Sequence, residues 1–145
     1  MKELLYLKDE QIKDLIEKLF YAQRETFSDS NKILKKHSLG IAHQKAILLI
    51  EKYEGITVSS LLKKLRITKQ SLNRVLKDLN KNKTIIMKKG EIDSRQKHIK
   101  LNEAGKKLSN EIFFEQKKRI YRALKNSNSE AVIKFKEVLE KIINE

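Results

Sequence analysis

The amino-acid sequence predicts a mainly α-helical fold with one small β-hairpin in its second half. Three observations lead to this fold class. Apolar residues recur at helical spacing in both halves of the 145-residue chain. Two short stretches, "TIIMKK" and "KHIKL", flank "GEIDSRQ" and are interpreted as strands; in the second, Ile99 and Leu101 alternate with polar residues. Three of the four glycines, Gly40, Gly55 and Gly90, fall between periodic segments and mark the boundaries of elements.

A first helix is predicted near the N-terminus, with Asp9 as a candidate N-cap. Its apolar residues form one broad stripe, made up of Ile12, Leu15, Ile16, Leu19, Phe20 and Phe27. The segment "SDSNK" is a candidate interruption, and the pattern leaves open whether the helix continues to residue 36. The next stretch, "AHQKAILLIEKY", is apolar on more than one side, which predicts a helix near the centre of the domain. Its apolar residues are Ala46, Ile47, Leu48, Leu49, Ile50 and Tyr53.

Two short amphipathic helices follow, joined by a tight turn. The first begins behind Thr57 or Ser59 as its cap and carries Val58, Leu61, Leu62 and Leu65 on one face. The second opens at Thr68 and carries Leu72, Val75, Leu76 and Leu79 on its apolar face. Two amphipathic helices with so short a connection are typical of a helix-turn-helix motif.

Two further helices are predicted after the hairpin. Asn102 is the expected cap of the first, whose apolar face holds Leu108, Ile112, Phe113, Ile120 and Leu124. The segment "NSNS" ends it, and Ser127 with Glu130 fits a capping box for the last helix. That helix is expected to bury Val132, Phe135, Val138, Leu139 and Ile142. The terminal helices carry more apolar surface than one small lobe needs, which predicts that they form a homodimer.

Charge is concentrated in one part of the chain. The formal net charge is +14, and residues 57–107 contain 15 Lys and Arg against 4 acidic residues, a surplus of +11. Biased codon usage can enrich lysine, but it does not deplete acids from one segment. A localised surplus of positive charge is the pattern expected of a nucleic-acid contact.

The helix that opens at Thr68 presents polar residues opposite its apolar face. Lys69, Gln70, Asn73 and Arg74 are the candidates for contact with base edges, because the first turns of a recognition helix reach deepest into the major groove. Lys77 and Lys81 are expected to meet phosphate. Thr68 and Ser71 have two open roles, as donors to phosphate or as caps of the helix. An ordinary solvated face would look similar, but this face carries only one acid, Asp78.

The predicted hairpin is strongly basic. It carries Lys88, Lys89, Arg95, Lys97 and Lys100. A helix-turn-helix followed by a β-hairpin is the winged-helix plan, in which the hairpin is the wing. Narrow minor grooves attract arginine, and Arg95 is the candidate for that contact. Asp93 is expected to hold the Arg95 guanidinium or the amides of the turn; a plain turn beside a solvated arginine is the alternative.

These segments resemble the MarR family of bacterial transcriptional regulators. The resemblance rests on "TVSSLLKKLRITKQSLNRVLKDLNKN" and on "DSRQKHIKLNEAGKKL", which holds the family's Asp-x-Arg wing and the later Leu-x-x-x-Gly. It implies one domain over residues 1–145, with a winged helix-turn-helix lobe at 39–101 and helical dimerisation regions at 1–38 and 102–145. It also implies a homodimer on a pseudo-palindromic site in double-stranded DNA. Recognition helix 68–82 would lie in the major groove and wing 88–97 at the minor groove, with Arg95 as the minor-groove residue. Repression is the family's commoner mode.

The chain departs from the family pattern at two turns. Arg66 and Lys83 stand where the family usually has glycine, so residues that adopt a positive φ less easily occupy both turns. Asn82 is a candidate to take over the second role. Asn102 replaces the family's threonine, and either residue can cap a helix.

The resemblance also raises the question of a small-molecule effector. Many family members respond to phenolic or carboxylate ligands between the dimer helices and the DNA-binding lobe. The candidates to line such a pocket are Tyr21, Arg24, His37 and His43, which are otherwise ordinary surface or interface residues. The absence of cysteine excludes a thiol switch.

Other function classes are less consistent with the sequence. It has no nucleophile elbow, P-loop or dinucleotide fingerprint, and its three histidines lack metal-ligand spacing, so we expect neither an enzyme nor a cofactor. The apolar run in "MKELLYLKDEQ" is too short for a signal peptide or a membrane span, so a cytoplasmic location is expected. Two alternatives remain. One is a sequence-independent RNA-binding protein or architectural DNA-binding protein, and the other is a winged helix that binds proteins.

Overall fold

The computed structural model describes residues 4–144, and only residues 1–3 and 145 of the predicted domain lie outside it. The helices of this part are α1 (Asp9–Ser28), α2 (Asn31–Lys36), α3 (Ile41–Lys52), α4 (Val58–Leu65), α5 (Lys69–Lys81), α6 (Glu103–Lys125) and α7 (Ser129–Ile143). The strands are β1 (Ile56–Thr57), β2 (Ile85–Lys89) and β3 (Lys97–Leu101). The predicted fold class, mainly α-helical with a small β-hairpin wing, is confirmed. None of the helices within 4–144 has both the length and the apolar composition that crossing a membrane requires.

The predicted N-cap of the first helix is wrong by one residue. Lys8 occupies the cap position, and Asp9 is the first residue inside α1. A carboxylate in the first turn still interacts favourably with the positive end of the helix dipole. The interruption at "SDSNK" is real, because α1 ends at Ser28 and α2 begins at Asn31.

The hairpin is part of a three-stranded antiparallel sheet. The strand order is β1-β3-β2, so β3 lies in the centre. Ile85 pairs with Leu101 and Met87 with Ile99 across the hairpin, and Ile56 of β1 pairs with Ile99 from the other side. The sequence did not predict β1, because two residues are too few to display alternation. This third strand joins the wing to the start of the helix-turn-helix.

The core lies between the sheet and helices α2 to α6. Its fully buried apolar side chains come from five elements and are Leu34, Ile50, Leu61, Leu72, Leu79 and Ile99. The prediction of a central helix is confirmed for α3 on one side, where Ala46, Ile47 and Ile50 are buried. Leu48, on another side of α3, is 51% exposed.

The predicted burial of the last helix is wrong for the chain by itself. Phe135, Val138 and Ile142 of α7 are each about half exposed, and no residue of α7 is buried. Phe113, Ile120 and Leu124 of α6 are also exposed, and so are four residues of the α1 stripe, Ile12, Leu15, Ile16 and Phe20. The reason is that no other element of residues 4–144 covers these faces. The terminal helices therefore present a large unpartnered apolar surface.

The cap of α7 also differs from the prediction. Asn128 is the N-cap, and its side-chain oxygen accepts a hydrogen bond from the Ala131 amide at 2.9 Å. Ser127 instead donates its hydroxyl to the carbonyl oxygen of Ala123 at 2.8 Å, within the last turn of α6. Ser127 and Asn128 can both cap a helix. Because the Ser127 hydroxyl is bonded to the end of α6, Asn128 caps α7.

Arg119 joins α6 to the end of α1. Its Nε and Nη2 atoms donate to the two carboxylate oxygens of Asp29 at 2.7 and 3.0 Å. These hydrogen bonds, and the negative charge of Asp29, raise the pKa of Arg119 above its ordinary value. Glu25 lies 3.8 Å from the same guanidinium. The pairing is bidentate, which is the geometry that holds an arginine most specifically.

Candidate nucleic-acid interface

The first helix of the helix-turn-helix is capped by Thr57. Its hydroxyl oxygen accepts from the Ser60 amide at 3.0 Å, so Thr57 rather than Ser59 takes the role that the sequence left open. The helix ends at Arg66, whose φ of 52° and ψ of 45° are left-handed. Arginine therefore adopts the conformation for which related turns use glycine, at a cost of about 1 kcal/mol. The turn therefore has a positive φ at Arg66, although this residue is not glycine.

The second helix begins at Thr68, as predicted. The Thr68 hydroxyl oxygen accepts from the Ser71 amide at 3.1 Å, and the hydroxyl donates to Ser71 Oγ at 2.8 Å. Of the two roles that the sequence left open for Thr68, the structure therefore assigns the cap. The Ser71 side chain remains exposed at the entrance of the helix.

The predicted division of α5 into two faces is present. Leu72, Val75, Leu76 and Leu79 are buried. The exposed side of the helix is polar and holds Lys69, Gln70, Ser71, Asn73, Arg74, Lys77 and Lys81. Asp78 is half-buried at its edge. The α5 side chains that are proposed to reach bases and phosphates thus all project from one side of the helix.

A shallow groove of about 370 Å³ joins this helix to the wing. Asn73 and Lys77 of α5 line it together with Met87 of β2 and Lys97 of β3. Residues that are 24 positions apart in sequence, such as Asn73 and Lys97, therefore border one depression. The depression can receive one strand of a polyanion that touches helix and hairpin together.

The end of α5 adopts a left-handed turn at Lys83, with φ of 56°. Asn82 was expected to supply that conformation and does not, because its φ is −76°. Its side chain instead donates to the carbonyl oxygen of His37 at 3.0 Å. Lys83 is held in turn by Asn102, whose Nδ2 donates to the Lys83 carbonyl oxygen at 2.7 Å. Side-chain hydrogen bonds thus join this turn to the end of α2 and to the cap of α6, and Lys83 is its left-handed residue.

The tip of the wing is a compact loop. The Gly90 amide donates to the Gln96 carbonyl oxygen at 2.7 Å, and the Gln96 amide donates to the Asp93 carbonyl oxygen at 3.1 Å. A β-carbon at Gly90 would lie 2.6 Å from that Asp93 oxygen. Space, rather than a positive φ, therefore requires glycine at this position.

Asp93 holds Arg95 in two ways. Its Oδ1 atom accepts from the Arg95 backbone amide at 3.0 Å and from Arg95 Nε at 3.3 Å. The Arg95 side chain is nevertheless 91% exposed, whereas that of Asp93 is 39% exposed. The contact orients the arginine at its base and leaves the end of the guanidinium facing solvent.

The wing places positive charges close together. Lys89 of β2 pairs directly with Lys97 of β3, and Lys88 pairs with His98. Like charges in directly opposed positions destabilise a hairpin. Lys88, Lys89 and Lys97 are all exposed, so an anion bound along the ribbon would relieve the repulsion.

Sequence reasoning missed one residue that supports the wing. His98 Nδ1 lies 2.9 Å from the carbonyl oxygen of Gly55, which can only accept, so Nδ1 donates. Gly55 itself has a φ of 83° and donates its amide to Ile99. No local pattern could have indicated this contact, because it joins residues 43 positions apart.

The four candidate effector residues are not brought together. Arg24 stacks over the ring of Tyr21 at 4.7 Å on the exposed side of α1. His43 contacts Asp78 of α5, and His37 offers its backbone carbonyl to Asn82. In the single chain Tyr21 and Arg24 therefore lie together on α1, whereas the two histidines lie near α5. An effector pocket that the four residues would line in the homodimer stays a prediction.

A different set of residues lines a cavity of about 300 Å³ between α1, α3 and α6. Its walls include Phe27, Gln44, Leu48, Glu51, Ile112 and Phe113. Gln44 is only 2% exposed and donates through Nε2 to the buried Ser30 hydroxyl at 2.7 Å. Its Oε1 atom has no hydrogen-bond partner among the described residues. Sequence reasoning missed this glutamine because it stands between the polar residues His43 and Lys45, so the local pattern gave no sign of its burial.

The chain is similar over nearly its whole length to a known regulator. It is 38% identical over 141 residues to the HTH-type transcriptional regulator PetP of Rhodobacter capsulatus, covering 97% of this chain and 85% of that protein. No protein-family model matches the sequence.

Solved structures share the fold. A MarR transcriptional regulator from Methanosarcina mazei Go1 superimposes with a TM-score of 0.76 at 18% identity, covering 91% of this chain and 95% of that one. Streptococcus pneumoniae FabT, solved in complex with DNA, gives 0.74 at 18% identity, covering 94% and 96%. PetP and the M. mazei protein are transcription regulators, a class of proteins that are not enzymes. With a winged helix-turn-helix between terminal helices and a close relative over almost its entire length, the chain belongs to the MarR family of transcriptional regulators.

Proposed function

We propose that this regulator is a homodimer that binds a pseudo-palindromic operator in double-stranded DNA and acts as a repressor. The observation that carries the proposal is the surplus of +11 in residues 57–107, much of which is exposed on α5 and the wing, two elements that border one groove. FabT, which shares the fold, has been solved with DNA. Within the domain of residues 1–145, lobe 39–101 contacts DNA, and regions 1–38 and 102–145 form the dimer.

Recognition helix 68–82 lies in the major groove in this proposal. Gln70, Asn73 and Arg74 carry donors and acceptors that match base edges, and Lys69 adds a positive charge in the first turn. All four side chains are exposed and follow directly on the cap at Thr68. Ser71 stands beside them and donates to phosphate. The early turns of α5 thus supply the sequence-reading contacts.

Wing 88–97 contacts the minor groove and its phosphates. Arg95, oriented by Asp93, enters the groove, while Lys88, Lys89 and Lys97 neutralise phosphates on either side. Lys77 of α5 faces the same phosphate path, because it lines the groove with Lys97. Phosphate contacts set the register of the protein on the duplex, and base contacts supply the specificity.

The homodimer is supported by the apolar surface of the terminal helices. Ile16 and Phe20 of α1, Phe113 of α6, and Phe135 and Ile143 of α7 are each more than half exposed in one chain. A small protein rarely leaves so much apolar surface in water. Association of two copies through these helices would place two α5 helices on successive major grooves, which is the arrangement that reads an inverted repeat.

A small-molecule effector is a second proposal that rests on a separate observation. The cavity between α1, α3 and α6 is mostly apolar, and the unpartnered Gln44 Oε1 at its wall is an acceptor. It would suit a small, largely apolar ligand with one hydrogen-bond donor. A thermal-shift screen of such compounds, with Gln44→Leu as the control variant, tests it. A shift that persists in the variant would exclude Gln44 from recognition.

The experiment that tests the DNA-binding proposal is selection from a random duplex pool at physiological salt with non-specific competitor. The expected result is an inverted repeat whose half-sites lie about one helical turn apart. Retained, salt-sensitive binding without any motif would favour the architectural or RNA-binding alternative. Negligible binding at moderate salt would favour a protein-interaction module. A reporter placed behind the selected site then distinguishes repression from activation.

A further inference from the structure

His43 links the start of α3 to the recognition helix. Its Nε2 atom lies 2.9 Å from Oδ2 of Asp78, and its Nδ1 atom accepts a hydrogen bond from the Gly40 amide at 3.0 Å. The His43 side chain is 15% exposed and that of Asp78 is 44% exposed. One imidazole ring thus connects residues that are 35 positions apart.

The two contacts determine where the proton of a neutral imidazole lies. A backbone amide can only donate, so Nδ1 must be the unprotonated nitrogen. Nε2 therefore carries the hydrogen and donates it to the Asp78 carboxylate. The ring is oriented at both ends, because rotating it would break the cap of α3 or the bridge to α5.

Asp78 occupies a special position on the recognition helix. It is the only acidic residue between Lys69 and Lys81. Like any carboxylate near DNA, it would repel phosphate and would attract the neighbouring cationic side chains. The His43 bridge engages this carboxylate at the edge of α5, four residues beyond Arg74.

A second hydrogen bond joins the end of α2 to the C-terminal end of α5. Asn82 Nδ2 donates to the carbonyl oxygen of His37, one turn beyond Asp78. The side chains of α5 that face the core are apolar, and their packing sets which face of the helix is buried. Two directional bonds on one side of the helix add to this packing and restrict its rotation about its own axis.

We infer that His43 is a positioning residue for DNA recognition: through Asp78 it sets the rotation of α5 and so the direction in which Gln70, Asn73 and Arg74 project. This inference rests on the proposed DNA-binding function. It differs from the expectation that His43 lines an effector pocket. A local hydrogen bond that has no effect on the position of α5 is the competing interpretation.

Two substitutions of one residue separate position from charge. Asp78→Asn and Asp78→Ala both remove the negative charge, but only asparagine keeps an oxygen that accepts from His43 Nε2. Both variants should bind a scrambled duplex equally well. The preference for the selected operator over the scrambled duplex should be about five-fold lower in Asp78→Ala than in Asp78→Asn.

A second variant tests the histidine itself. His43→Glu keeps an acceptor for the Gly40 amide, as in a capping box, but its carboxylate has no hydrogen to donate to Asp78. It should lower the operator preference by a similar factor, and it should have no further effect when combined with Asp78→Ala. Circular dichroism melting verifies that each variant is folded. Equal operator preference in Asp78→Asn and Asp78→Ala would overturn the inference.

Failure of the underlying function gives a different result. If the wild-type protein has no operator preference, the proposed function fails, and the positioning role is judged without DNA. Backbone amides of α5 should then exchange hydrogen several-fold faster in Asp78→Ala than in Asp78→Asn. Nitrogen NMR at mildly alkaline pH should find the His43 proton on Nε2. Equal exchange rates, or a proton on Nδ1, would overturn the inference.

Discussion

Gly105 and Thr84 lie in direct backbone contact. A β-carbon built on Gly105 would overlap the carbonyl oxygen of Thr84 and would lie 3.2 Å from the β-carbon of Leu101. The same Thr84 oxygen accepts from the Asn102 amide at 3.1 Å. The first turn of α6 is therefore seated on the residue that precedes β2. This contact joins the wing to the helix that leads toward the proposed dimer interface.

Replacing Gly105 with alanine should destabilise the protein. The added methyl group must displace backbone, which cannot yield as the end of a flexible side chain can. Overpacking of this kind costs about 1–3 kcal/mol, and we expect a loss of that size in urea unfolding. Gly40→Ala is the control, because nothing lies within 4 Å of the methyl group that it adds. Its helix-cap cost and its chain-entropy gain roughly offset each other. Equal stability of the two variants would contradict the prediction.

Arg95→Ala should weaken binding of the selected duplex by about 1–3 kcal/mol, measured by fluorescence anisotropy. The reason is that the Arg95 guanidinium is exposed at the wing tip and is already oriented by Asp93. Arg24→Ala removes the same charge from α1 and should leave the affinity nearly unchanged. If both variants lose affinity equally, net charge rather than a wing contact would account for the effect.

Lys77→Ala and Asn73→Ala should have different effects on DNA binding, although both residues line the same groove. Loss of a phosphate contact should weaken operator and scrambled duplexes alike and lower the salt slope by about 1. Loss of Asn73 should weaken the operator selectively by about 1–3 kcal/mol and leave the slope unchanged. Titrations at several salt concentrations measure both quantities. Identical behaviour of the two variants would contradict the assignment of their roles.

Phe135→Ser should shift the protein toward monomer in sedimentation at micromolar concentration. Phe135 is 53% exposed on α7 in the single chain, and burying it against a second copy would remove its apolar surface from water. Lys136→Ser, one residue away on the same helix, provides the control and should leave the dimer intact. A wild-type protein that sediments as a monomer would refute the proposed homodimer.

Arg119→Gln should lower the urea midpoint by an amount that does not change between mildly acidic and mildly alkaline pH. The hydrogen bonds to Asp29 raise the pKa of Arg119, so its contribution to stability is present below the ordinary arginine pKa and is lost only above it. That window lies beyond the alkaline limit of the experiment. Arg122→Gln, one turn further along α6, is the control. A difference between Arg119→Gln and wild type that vanished at mildly alkaline pH would contradict the assignment.

The sequence by itself determined the elements that depend on local signals. The periodic stripes of α4 and α5, the cap at Thr68 and the cap at Asn102 follow from residues within a few positions of one another. The basic wing and its Asp93–Arg95 contact are equally local, because the two partners are two positions apart in the sequence. For the same reason, the family resemblance could be stated from the wing and the helix-turn-helix.

Tertiary structure decided the features that need distant partners. The strand β1, the bridge from His43 to Asp78 and the left-handed turn at Lys83 each depend on a segment far away in sequence. The buried Gln44 and its cavity also exist only because α1, α3 and α6 meet. The face of α7 is exposed in the single chain. An apolar stripe indicates that a helix will be covered, but it does not indicate which chain covers it. A local pattern encodes propensity and polarity, whereas the choice of partner is a free-energy difference between whole packed arrangements.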